Sequence, residues 1–304
     1  LFSHGYIFTS SDSGTTWTQD EYDPMTPWNY SDQHRFIKYG GGRWIAGGPG
    51  KRMMYNDGEW HRLETSEVPF YNSITDAAYG NGRWIAVGEN AEMAISTDGG
   101  ESWTMLATRP VGWTASCIHF ASGRWIAAGQ NGRMYTSVND GASWSEIATP
   151  FETVDSNVGC IVRENGYWVA GGGYGAVTST AQLAYSADGL TWTRANTISG
   201  PSSISGIAFS DGVWICAGYY TWFSAPATIM LSSTNLSSWS TQSDLTGEYF
   251  TSITDVIGVQ GAFVATTRYD NGIGPESTKG YVYRAPTPEL PNNIDMNPAH
   301  IIRE

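Results

Sequence analysis

Six segments of the chain repeat one pattern: a glycine-bearing turn, an aromatic residue, then a branched and a small apolar residue. They are Trp44-Ile45-Ala46, Trp84-Ile85-Ala86, Trp125-Ile126-Ala127, Trp168-Val169-Ala170, Trp214-Ile215-Cys216 and Phe263-Val264-Ala265. Each turn is itself preceded by another short apolar strand. A second set of tryptophans, Trp60, Trp103, Trp144, Trp192 and Trp239, follows these segments, with Trp17 ahead of the first. Steps of about 40–50 residues with several short strands in each predict a β-propeller. Within one repeat the strands a to d run outward from the centre, for example 74–79, 83–88, 93–96 and 102–106. Antiparallel strands alternate in direction, so the a–b and c–d turns share one face of the disk and the b–c and d–a loops the other.

The strands add up to six each of a, b and d but seven of c. The chain opens on a c–d hairpin over 5–19 and closes on a–b–c over 253–284. The expectation is therefore an all-β fold of six or seven four-stranded blades. Seven is preferred, with about 20 residues of an a–b hairpin preceding Leu1 to close the last blade.

The c–d turns carry a resemblance. Ser10-Ser11-Asp12-Ser13-Gly14-Thr15-Thr16-Trp17 fits the Asp-box pattern S-x-D-x-G-x-T-W, and Ser96-Thr97-Asp98-Gly99-Gly100-Glu101-Ser102-Trp103 fits it with Ser for Thr. The turn ending at Trp144 has Asn139 at the Asp position, and the one ending at Trp192 keeps Asp188 in a frame one residue shorter. The side-chain oxygen caps the turn's own amides, Gly supplies positive φ, and Trp plugs between sheets. The chain thus resembles the Asp-box (BNR repeat) β-propeller family over residues 1–285, with Asp12, Asp98, Asn139 and Asp188, and Trp17, Trp103, Trp144 and Trp192, as structural box residues.

Composition changes after Tyr283. The segment 286–304 reads as a Pro-rich linker leading into a further domain. Asn297 and Pro298 would serve as N-cap and first position of a helical turn. The string Asn297-Pro298-Ala299-His300-Ile301-Ile302-Arg303-Glu304 also resembles a segment of tailed-phage tail-tip or baseplate hub proteins.

Three tryptophans fall outside both repeat families: Trp28 and Trp113 in d–a loops and Trp222 in a b–c loop. Tyr174, Tyr219, Tyr220, Phe223 and Tyr269 fall on the same face, as do Tyr22 and Tyr30. The b–c loops also lengthen along the chain, from 49–51, 89–92 and 130–132 to 172–181, 219–227 and 267–279. Exposed rings on long loops suit stacking on sugars or burying a protein partner, whereas rings folded inward would only pack the loops. Trp28, Trp113, Tyr174, Tyr219, Tyr220, Trp222, Phe223 and Tyr269 are the candidate ligand-binding residues.

Charge narrows the partners. With 29 acidic against 16 basic residues, a net charge of −13 and no basic run, nucleic acid and anionic membranes are disfavoured. No apolar run approaches the ~18 residues of a membrane span. The five His lack metal-ligand spacing, no calcium-loop series occurs, and no cofactor or metal is expected. Cys216 takes a position filled by Ala in the other repeats, and Cys117 and Cys160 share an inner-strand slot, as free thiols or a disulfide.

Asp-box propellers include sialidases, and a sialidase-like site would need a carboxylate-clamping Arg triad and an acid/base carboxylate. Arg43, Arg83 and Arg124 recur in a–b turns and read as solvated. Asp76 and Asp255 sit in matching Ser-Ile-Thr-Asp segments, and Arg35, Arg163 and Arg268 are off-pattern. No complete catalytic set emerges. The expectation is a non-catalytic recognition propeller of a phage tail tip or tail fibre, acting in the virion or otherwise extracellularly. It would contact host-surface glycan or receptor protein, beside other tail or baseplate proteins. The alternatives are a protein-docking propeller without sugar binding, and a glycoside hydrolase.

Overall fold

The computed structural model describes residues 2–3, 6–9, 16, 18–19, 35–151, 156–174, 181–196, 203–219, 228–244, 252–259, 262–270, 278–286 and 298–301. These residues form seven antiparallel sheets in chain order. Sheet 1 has three short strands, β1 (Phe2–Ser3), β2 (Tyr6–Thr9) and β3 (Thr18–Gln19). Sheet 2 holds β4 (Phe36–Gly40), β5 (Arg43–Gly48), β6 (Arg52–Asn56) and β7 (Trp60–Arg62). Sheet 3 holds β8 (Ile74–Gly80), β9 (Arg83–Gly88), β10 (Met93–Ser96) and β11 (Thr104–Met105). Sheet 4 holds β12 (Ala115–Ala121), β13 (Arg124–Gly129), β14 (Met134–Ser137) and β15 (Ser145–Ile147). Sheet 5 holds β16 (Ser156–Glu164), β17 (Tyr167–Tyr174), β18 (Gln182–Ser186) and β19 (Thr193–Arg194). Sheet 6 holds β20 (Ser203–Ser210), β21 (Val213–Tyr219), β22 (Thr228–Ser233) and β23 (Ser240–Asp244). Sheet 7 holds β24 (Ser252–Val259), β25 (Ala262–Asp270), β26 (Thr278–Pro286) and β27 (Pro298–Ile301).

Every four-stranded sheet is a simple a-b-c-d meander. The first strands β4, β8, β12, β16, β20 and β24 lie against one another in succession, and β1 lies against β26. This is the β-propeller arrangement, with first strands around the axis. The a–b hairpins turn on Asn81-Gly82, Ser122-Gly123, Asn165-Gly166 and Asp211-Gly212. All eight residues have positive φ, as a two-residue turn matched to strand twist requires.

The sheets are joined by alternation along strand b. The tryptophan of one sheet packs with the branched residue of the sheet before it: Trp84 with Ile45, Trp125 with Ile85, Trp168 with Ile126 and Trp214 with Val169. Successive side chains point to opposite faces, so one strand welds both neighbours. These four tryptophans are 0–2% exposed.

One expected element differs. In place of a helical turn beginning at Pro298, β27 pairs with β26, placing Tyr281 opposite Ile301 and Tyr283 opposite Pro298. An outermost strand tolerates a residue without an N–H, and pairing satisfies backbone groups that a lone helical turn would leave open.

Candidate functional site

The face bearing the a–b and c–d turns is built by self-satisfied loops. In the turn after β10, the Ser96 hydroxyl donates to Asp98 Oδ1 (2.8 Å) and accepts from Gly100 N (2.8 Å). Ser102 N and its hydroxyl donate to Asp98, and Trp103 Nε1 donates to Gly100 O (3.0 Å). In the next box Ser137 Oγ and Ser143 N donate to Asn139 Oδ1, and Gly141 N donates to Ser137 Oγ, each at 2.9 Å. Asp188 accepts from Leu190 N and Thr191 N, both at 2.8 Å. Those amides, with the Ser186 hydroxyl, hold its carboxyl well below the ordinary range. The shorter frame of this box therefore costs it no donor. Asn235 completes a fourth such turn, accepting from Ser237 N and Ser238 N in the degraded box that ends at Trp239. Asp12 and Trp17 lie outside the described residues.

Arg43, Arg83 and Arg124, read from sequence as solvated, are struts between or within sheets. Arg43 pairs with Glu101 of the next sheet's turn at 2.7 Å and lies 3.8 Å from Asp57. Arg83 lies 3.7 Å from Asp140 of the next sheet's turn, which also accepts from Asn81 Nδ2 (2.8 Å) and Trp125 Nε1 (3.2 Å). Arg124 donates to Thr136 Oγ1 at 3.1 Å. Recurrence of Arg in one strand position, with acids recurring in the next repeat's turn, was the signal in the sequence.

The carboxylates considered for hydrolysis are engaged in joining sheets. Asp76 on β8 accepts from Ile118 N of β12 at 3.0 Å, and its Oδ1 lies 3.5 Å from Lys38 Nζ of β4. Burial pushes its carboxyl up, while Lys38 and the Ile118 amide pull against that shift. Glu164 accepts from Phe209 N of the next sheet at 2.9 Å, and burial raises its carboxyl too. On the loop face, buried Glu92 accepts from Tyr71 N, Asn72 N and Asn72 Nδ2 at 3.0–3.1 Å, fastening the d–a loop. Arg35 pairs with Glu89 at 2.9 Å. The side chains of Asp255 and Arg268 lie outside the described residues. Among the described residues no cluster of three or more His, Cys, Asp or Glu could hold a metal ion. The three cysteines are free, and burial pushes the Cys117 and Cys216 thiols far up, so they are protonated packing groups. The Cys117 thiol donates across to Val158 O of the next sheet at 3.7 Å.

Of the eight candidate ligand-binding residues, Trp113 has a described side chain, and its position corrects the expectation of an exposed ring. It is 3% exposed and packs against Tyr135 at 4.8 Å within the core between sheets 3 and 4. Burial of a large ring beneath the d–a loop stabilises more than its exposure would. Trp28, Tyr220, Trp222 and Phe223, and the side chains of Tyr174, Tyr219 and Tyr269, lie outside the described residues.

Among the described residues, most exposed large apolar side chains lie on the turn face. Tyr39, Trp44, Val138, Tyr167, Leu190 and Ile257 flank a–b or c–d turns, against Tyr71 and Val111 on the loop face. Tyr39 and Trp44 stand 61% and 42% exposed with ring centroids 4.9 Å apart. Partly exposed Arg43, Asp57 and Glu101 belong to the same turn region.

No model of a known protein family matches the chain, and no curated protein does. Solved structures do resemble it. YCF48 from Cyanidioschyzon merolae is 15% identical with a TM-score of 0.58, over 85% of this chain and 83% of that one. A structure described as YCF48 bound to D1 peptide is 13% identical with a TM-score of 0.58, over 88% of this chain and 84% of that one. YjhT is 11% identical with a TM-score of 0.53, over 81% of this chain and 93% of that one. At such identities the likeness shows the fold alone: the chain is a β-propeller.

Proposed function

We propose that this chain is a non-catalytic propeller that docks a protein partner on its turn face, with Tyr39 and Trp44 as anchors. One observation carries the reading. The residues equivalent to Trp44 in sheets 3 to 6 are 0–2% exposed, whereas Trp44, whose preceding sheet has three short described strands, is 42% exposed beside an exposed Tyr39. Tyr and Trp are the side chains on which interfaces concentrate binding energy, because each buries a large rigid area at low entropy cost. The rim of Arg43, Asp57 and Glu101 adds charge for orientation, and a net charge of −13 favours encounter with a basic partner surface. That YCF48 has been solved with a peptide supports peptide or protein binding as a use of this shape.

The test is a photo-crosslinkable residue at position 39, followed by binding of the purified captured protein to Trp44→Ala and Tyr71→Ala. Truncation of an anchor costs about 2 kcal/mol or more, so Trp44→Ala should weaken binding at least tenfold. Tyr71→Ala on the opposite face should leave it unchanged. Equal binding by Trp44→Ala would sink the assignment. The finer reading, a phage tail propeller holding host-surface glycan through Trp28, Trp222 and the long b–c loops, is tested beside it on a glycan array. Glycan binding insensitive to Trp44→Ala would move the site to the loop face.

A further inference from the structure

Lys38, His119 and Arg163 stand on β4, β12 and β16, first strands of sheets 2, 4 and 5. Lys38 and His119 share one register, opposite Ile45 and Ile126 respectively. Arg163 is one place further towards the a–b turn, opposite Trp168. Because the first strands lie against one another in succession, these residues sit at nearly one level around the axis. The register is otherwise apolar: Ala78, Val162, Ala208 and Ile257 take the place of Lys38 and His119 in the remaining four-stranded sheets. In the register of Arg163 sheets 2, 3, 4 and 6 carry Tyr39, Tyr79, Phe120 and Phe209, each packed on its own strand-b tryptophan, and sheet 7 carries Gly258. An arginine here departs from the packing rule of the repeat.

Its surroundings among the described residues supply no counter-charge. Arg163 Nε is buried without a hydrogen-bond partner, and no described carboxylate forms an ion pair with it. Lys38 Nζ lies 3.5 Å from Asp76 Oδ1, and 42% of its side chain is exposed. His119 meets the edge of Trp168 at 5.7 Å. Gathering three basic groups at one level runs against the composition of a chain with 16 basic and 29 acidic residues.

We propose that this level of the axis is an oxyanion site, in which the Arg163 guanidinium and the Lys38 ammonium hold a carboxylate or phosphate beside His119. The planar fork of an arginine matches both groups with paired hydrogen bonds, and a poorly compensated guanidinium gains most from an incoming anion. The site is independent of the docking reading. His119 provides the reporter: burial, then Lys38 and Arg163, lower its pKa to about 4. An anion between the two cations would cancel their effect and raise it again.

The full chain is titrated with sodium acetate and, separately, inorganic phosphate at fixed ionic strength. Imidazole NMR signals are followed, with His119→Gln identifying the resonance. The expected result is a saturable shift, with the His119 pKa rising towards saturation. Arg163→Gln should weaken binding at least tenfold without lowering the melting temperature, and Lys38→Arg should retain it. Saturation by acetate alone names a carboxylate ligand, and by phosphate alone a phosphate. A His119 pKa unmoved by both anions, or unaltered binding in Arg163→Gln, overturns the proposal.

Discussion

Asp188 fastens its turn with three donors to one oxygen, from Ser186, Leu190 and Thr191. These bonds favour the charged carboxylate, so its native pKa lies below the ordinary 3.8. The stability it contributes is therefore present above the unfolded value and is lost as pH falls through and below it. Asparagine keeps the accepting oxygen without the titration, as Asn139 and Asn235 already do in two other turns. Urea denaturation between pH 7 and pH 3 should accordingly show a shallower loss of stability below pH 4 in Asp188→Asn than in the parent chain. Parallel curves would place the acid-sensitive group elsewhere. The box oxygens were legible in the sequence because their spacing dictates which amides they reach. The roles of Asp76 and Glu164 were not, since their partners, Ile118 N and Phe209 N, lie on the next sheet.

At the scale of the strand, the glycine closing strand b is a tertiary requirement written as a local motif. A Cβ on Gly129 would lie 2.2 Å from Thr114 O, and one on Gly172 would lie 2.0 Å from Asn157 O. Both contacts are with the backbone of the strand-a entry, where β12 and β16 each carry a register shift. Backbone cannot swing aside as a side chain can, so Gly129→Ala should cost about 1–3 kcal/mol, read from urea denaturation. A cost below a few tenths would mean that the bulge relaxes freely. The a–b hairpins were readable from their Asn-Gly, Ser-Gly and Asp-Gly pairs, whose positive φ is a property of two residues. The pairing of β27 was not, because Pro298 reads equally as a helix start or as an outermost strand.

For the whole molecule, one repeat position has two fates. Trp125 is sealed between sheets 3 and 4, stacked on Phe120 at 4.6 Å and bonded to Asp140. Trp44, its equivalent in sheet 2, is 42% exposed. Truncating a buried tryptophan leaves a cavity costing about 3–5 kcal/mol, so Trp125→Ala should lower the urea midpoint strongly. Trp44→Ala should lower it far less, in keeping with a side chain used for contact. Comparable losses from both would assign Trp44 to the core.

Sequence alone determined the repeat, the meander, the order of strands and the turns that satisfy themselves, because each follows from residues within about one hairpin of each other. The tertiary structure decided everything that passes between sheets. It turned Arg43 and Arg83 from surface groups into struts, folded Trp113 inward, and left Trp44 exposed while burying its counterparts in sheets 3 to 6. It also brought Lys38, His119 and Arg163 to one level although about 125 residues separate the first from the last. A repeat tells which positions are equivalent. Which of them meets a neighbour, and which meets solvent, depends on the closure of sheets around an axis, and no local pattern encodes that.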